Sequence, residues 1–79
     1  MTESEKSIFN EIIENPKRIR HYQLELNISQ VKLVELSGVS LFWLTSFVNN
    51  KKHRFHFKEK DTIQRVESIA KVLNVLLNK

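Results

Sequence analysis

A single glycine, Gly38, and a single proline, Pro16, punctuate 79 residues. Many-stranded barrels and sandwiches need a tight turn every few residues, and tight turns draw on Gly, Pro, Asn and Asp. With so few such residues the chain is read as all-α, in one domain covering 1–79. Cysteine is absent, which removes any disulfide framework and any Cys-ligated zinc or iron–sulfur site. Apolar residues make up 41% and charged residues 28%, the balance of a chain that folds rather than one that stays disordered.

Apolar spacing divides the chain into five helices. Ile8, Phe9, Ile12 and Ile13 form one stripe behind a Thr2 or Ser4 cap, and Asn15-Pro16 ends that N-terminal helix, 1–15. Pro16 is expected at the first position of a second helix, whose apolar side is Ile19, Tyr22, Leu24 and Leu26 and whose left-handed stop is Asn27. Ser29 caps a third helix holding Val31, Leu33, Val34 and Leu36, and Gly38 ends it. Ser40 caps a fourth with Leu41, Leu44, Phe47 and Val48 at helical spacing. Residues 51–58, Lys-Lys-His-Arg-Phe-His-Phe-Lys, alternate aromatic and cationic and are expected to be an extended basic segment. A last helix is expected over Asp61–Asn74, with Ile63, Val66, Ile69, Ala70 and Leu73 on one face and an apolar tail Val75, Leu76, Leu77.

Charge is unevenly spread. Net charge is +4, but residues 1–15 sum to −3, residues 16–58 to +6 and residues 59–79 to +1. A basic middle suits a polyanionic partner. The first residues lack the basic and apolar regions of a secretory signal, and no run approaches the roughly 18 apolar residues that span a bilayer. The expectation is therefore a cytoplasmic, nucleoid-associated protein with no membrane partner.

The most informative stretch is 29–49: a short helix, a bend at Gly38, and a second helix restarting at Ser40. This is the helix-turn-helix pattern, whose second helix fits a DNA major groove about 12 Å wide. The sequence resembles the phage-repressor (Cro-like, XRE-type) helix-turn-helix family. The residues that carry the resemblance are Ile19-Arg20, Ile28-Ser29-Gln30, Leu33, Gly38-Val39-Ser40 and Leu44-Thr45, followed by Ile69-Ala70, Leu73 and Val75.

The resemblance implies a transcriptional regulator, expected to be a repressor of phage or mobile-element type, that inserts helix 40–49 into double-stranded DNA as a homodimer. It also places Gln30 near phosphate or a base edge, and Leu41, Phe42, Trp43 and Ser46 on the groove-facing side, with Thr45 and Asn49 nearby. Arg, Asn and Gln make the two-point base contacts, and positions 41–46 hold none of them. Leu41 and Phe42 are instead matched to thymine methyls. Packing is the alternative use of Leu41, three residues before Leu44, and of Trp43, four before Phe47.

Phosphate contacts are expected from Ser29, Ser40, Asn50, Lys51, Lys52, Arg54 and Arg20. Lys17, Arg18 and Arg20, at the start of the second helix, serve equally as a solvated face. His53 and His56 lack a third ligand at matching spacing, so no metal is expected. Phe55 and Phe57 suit a groove-inserted wing, a strand shared with a twin, or packing beneath the loop. No Gly-rich phosphate cradle or nucleophile elbow occurs, so neither an enzyme nor a cofactor is expected, and no small-molecule ligand is evident. The alternative function is a protein-interaction module, or an antitoxin-like adaptor, using an exposed Leu41/Phe42/Trp43 patch.

Overall fold

The computed structural model describes residues 1–49 and 60–78. Five helices are found there, with no strand among the described residues: α1 (Glu3–Glu14), α2 (Arg18–Leu26), α3 (Gln30–Ser37), α4 (Leu41–Val48) and α5 (Lys60–Leu77). The expected all-α fold is present. The expected extended basic segment, with Asn50, Lys51, Lys52, His53, Arg54, Phe55, His56 and Phe57, lies outside the described residues.

Helix ends follow local chemistry. Thr2 Oγ1 accepts from the Glu5 N–H at 3.2 Å, and Glu5 Oε1 accepts from the Thr2 N–H at 2.8 Å. This reciprocal capping box satisfies two N–H groups that the first turn otherwise leaves unpaired. The bond from the Thr2 N–H also holds the Glu5 carboxyl below the usual carboxylate range. Asn27 closes α2 in the left-handed region, φ 56° and ψ 46°, as its position suggests.

Pro16 does not open α2. The backbone bonds Arg18 N–H to Asn15 O and Ile19 N–H to Pro16 O span three residues, so the chain passes Pro16 in a tighter turn and α2 starts at Arg18. At the other end α5 runs beyond Asn74 to Leu77. The expected apolar tail is the last turn of that helix, since neither Gly nor Pro interrupts it.

The core collects Ile8 and Ile12 from α1, Ile19 and Tyr22 from α2, Leu33 from α3, Leu44, Phe47 and Val48 from α4, and Val66, Ile69, Ala70 and Leu73 from α5. The central element is α5, packed chiefly against α1 and also against α3 and α2. Its buried residues recur at intervals of three and four, which keeps them on one face. Phe9 and Ile13 pack half-buried against the same core, so the whole α1 stripe is used inside the molecule. Removing the Ile12 side chain to Cβ would cost about 2–5 kcal/mol, because the site is fully buried.

One apolar assignment from the sequence is corrected. Leu24 is 80% exposed, because two residues after Tyr22 a helix has turned some 200° away from the core. Val31 and Leu36 are exposed on α3, where Leu33 alone is fully buried. Thr62, which no apolar pattern marks, is buried on α5. No single helix among the described residues is long and apolar enough to cross a membrane.

Candidate nucleic-acid interface

The turn between α3 and α4 is built by three residues. Gly38 ends α3 at φ 77°, a left-handed value that a Cβ would strain, and its N–H bonds to Val34 O at 2.9 Å. Val39 is half-buried against the core. Ser40 then caps α4, its Oγ accepting from the Trp43 N–H at 3.0 Å. The axes of α3 and α4 turn through 118° across this junction. Ser29 caps α3 in the same way, accepting from the Lys32 N–H at 3.0 Å. Both hydroxyls are exposed, and each keeps an O–H free to donate outward.

On α4 one face is core and the other is not. Leu44, Phe47 and Val48 are buried. Phe42, Thr45, Ser46 and Asn49 fall at i, i+3, i+4 and i+7 and so share the opposite face. Phe42 is 83% exposed, Thr45 and Asn49 are exposed, and Ser46 is half-buried. Leu41, 44% exposed, borders this face at its N-terminal end. No side chain of α4 carries a charge.

Two hydrogen bonds tie this face to the neighbouring helices. Gln30 Nε2 donates to Thr45 Oγ1 at 3.1 Å, joining the first residue of α3 to the middle of α4. Arg20 Nη2 donates to Asn49 Oδ1 at 3.1 Å, joining α2 to the end of α4. Arg20, Gln23, Leu24 and Gln30 line a groove of about 300 Å³ beside them.

Among the residues singled out from sequence, Gln30, Thr45, Arg20 and Asn49 are thus brought together, and Phe42 stands next to them on the open face. Trp43 stands apart. Its ring stacks on Phe47 with centroids 4.7 Å apart and planes 12° from parallel, and the Arg65 guanidinium of α5 lies 5.4 Å from its centre. Trp43 is half-buried on the flank that faces α5, which favours the packing use over the groove. Asn50, Lys51, Lys52 and Arg54 lie outside the described residues.

Sequence reasoning missed Arg65, Gln23 and Leu24. Arg65 meets Trp43 only through the tertiary fold, so no spacing rule marks it. Leu24 was assigned to the core, although its offset from Tyr22 already puts it off the buried stripe.

Elsewhere, Tyr22 Oη donates to Glu11 Oε2, and Arg18 Nη2 lies 3.6 Å from the same carboxylate oxygen. Burial, and then the hydrogen bond to Glu11, push the Tyr22 phenol above its ordinary pKa. Among the described residues no group of three His, Asp or Glu side chains is placed to hold a metal ion. No protein-family model matches the chain, and neither does any curated protein or solved structure.

Proposed function

We propose that this chain is a sequence-specific, double-stranded DNA-binding regulator of repressor type, with a helix-turn-helix at 29–49 whose α4 enters the major groove. One observation carries the reading. α4 stands at 118° to α3 across a three-residue Gly turn and leaves Phe42, Thr45 and Asn49 exposed while its other face anchors in the core. Helix pairs of this motif meet at about 90–120°, which permits one helix to brace the backbone while the other enters the groove. Supporting it are the +6 charge of residues 16–58 and the caps Ser29 and Ser40, whose hydroxyls are available to phosphate oxygens.

The mechanism is steric: the bound protein covers its operator and excludes polymerase or a competing activator. Its place in the cell is then the nucleoid. A homodimer fits this role, because two half-sites about 34 Å apart multiply the few base pairs that one helix reads. The α1 stripe is occupied within the monomer, so among the described residues the end of α5 is the apolar surface that fits the twin. There Leu36, Val72, Val75 and Leu76 line an apolar groove of about 260 Å³.

A second reading, a protein-interaction module, is favoured by one specific feature, the exposure of Phe42 and Leu41 on an uncharged helix. Salt separates the two. Selection from random duplexes, repeated at low and moderate salt, is expected to return a common half-site with affinity that falls steeply as salt rises. An apolar protein interface would hold its affinity across that range.

A further inference from the structure

We propose that α4 discriminates between DNA sequences by the C5-methyl groups of pyrimidines rather than by hydrogen bonds to base edges. This rests on the duplex-binding reading above and specifies the chemistry that it recognises.

Among the described residues, the amide side chains at the open face of α4 suited to two-point contact with adenine are Gln30 and Asn49, with Gln23 set back in the groove on α2. Such a contact needs the oxygen and the nitrogen of one amide together. Gln30 has its nitrogen on Thr45 Oγ1, and Asn49 has its oxygen on Arg20 Nη2, each at 3.1 Å. Gln30 and Asn49 are therefore each held by one end within the protein, which leaves a second N–H or lone pair but fixes where the amide points. The Thr45 hydroxyl accepts from Gln30, and Ser46 is half-buried. What the face offers freely is the Phe42 ring, 83% exposed, with Leu41 beside it.

Neither Phe nor Leu can donate or accept a hydrogen bond. Of the groups that line the major groove, only the thymine methyl is apolar. A methyl against the ring removes apolar surface from water on both sides. An unmethylated cytosine presents only a hydrogen at C5, so the ring loses that contact. The same logic extends to 5-methylcytosine, which presents the methyl at the same place in the groove. The occupant is duplex DNA because the exposed cations Arg20 and Lys32 lie on the helices adjoining this neutral face, and the sequence adds Lys51, Lys52 and Arg54 after α4.

The test uses the full chain and a duplex recovered from random-sequence selection, compared in three forms. In the first, thymines in the protected half-site are retained. In the second, each is replaced in turn by deoxyuridine, which pairs identically and lacks only the methyl. In the third, 5-methylcytosine replaces cytosine opposite guanine at a position made weaker by a T·A to C·G change. Uracil is expected to weaken binding about fourfold for each methyl that meets Phe42 or Leu41, and 5-methylcytosine to recover about the same factor. Phe42→Ala, at a site too exposed to threaten folding, is expected to lose the thymine–uracil difference at the positions that Phe42 meets, and Leu41→Ala with Phe42→Ala to lose it throughout. Circular dichroism checks that both variants stay helical.

Equal affinity of the unaltered chain for thymine and uracil forms overturns the methyl readout and leaves duplex binding standing. A selected half-site whose protected positions lack thymine also overturns it. Failure to retain any duplex at low salt overturns both readings.

Discussion

Gln30 Nε2 donates to Thr45 Oγ1 at 3.1 Å, a bond that fixes the start of α3 against the exposed side of α4. The two residues are fifteen apart in sequence and on different helices, so the bond sets how α4 is presented. Gln30→Ala and Thr45→Val should each cost about 0.5–1.5 kcal/mol of stability. The double variant should cost less than the sum of the two, because the second change removes a bond that is already broken. Urea denaturation of the four proteins gives that cycle, and duplex affinity measured on the same set should fall in parallel with the loosened helix.

Gly38 has φ 77°, and nothing lies within 4 Å of where a Cβ would stand. The penalty for a side chain there is therefore in the backbone and not in a clash. Gly38→Ala should destabilise the fold by about 1–2 kcal/mol, whereas Gly38→Asn should cost less, since Asn tolerates the left-handed region. Thermal unfolding checks this, with a midpoint drop of roughly 4–8 °C expected for each kcal/mol. An Ala variant of unchanged midpoint would mean that the bend is not held at that angle.

Tyr22 is the one tyrosine in the chain, so tyrosinate absorbance reports it alone. Its phenol is raised by burial and then by the bond to Glu11. The neutral form is thus favoured in the folded state. The stabilisation it gives is fully present below the ordinary phenol range and is lost as pH rises through the raised folded value. Titration should show a midpoint above that of unfolded chain, and Glu11→Gln should bring it down.

Lys51 and Arg54 follow α4 directly in sequence. Replacing both with Ala should weaken binding to every duplex by a similar factor, because phosphate contacts carry no sequence information. The slope of log K against log[salt] should become shallower by about 1.8, at about 0.9 for each phosphate that is no longer neutralised. A change in the preferred half-site would instead assign one of them to base readout.

Much of this geometry is written locally. The caps Thr2, Ser29 and Ser40 and the stops Asn27 and Gly38 sit where their own side-chain chemistry puts them, and the helix ends follow to within a residue or two. Pro16 misled because proline suits both a first helical turn and a tighter turn just before it, and the choice depends on how α1 and α2 pack. The site was legible as a set of positions and not as a set of partnerships. Spacing on α4 separates Phe42, Thr45 and Asn49 from Leu44, Phe47 and Val48. The partners Gln30–Thr45, Arg20–Asn49 and Arg65–Trp43 join different helices, and no periodicity within one helix encodes them. Thr62 shows the same limit: composition assigns it to solvent, and the packing of α5 among its neighbours buries it. Leu24 was legible, since its offset from Tyr22 turns it off the buried stripe.

The claim that α4 is the surface that meets DNA is tested most directly by amide chemical shifts of labelled protein, followed as a selected duplex is added. The largest changes are expected at Gln30, Leu41, Phe42, Thr45, Ser46 and Asn49, with the α1 amides from Ile8 to Ile13 nearly still. Changes centred on Leu36 and Val72–Leu77, with α4 silent, would contradict it.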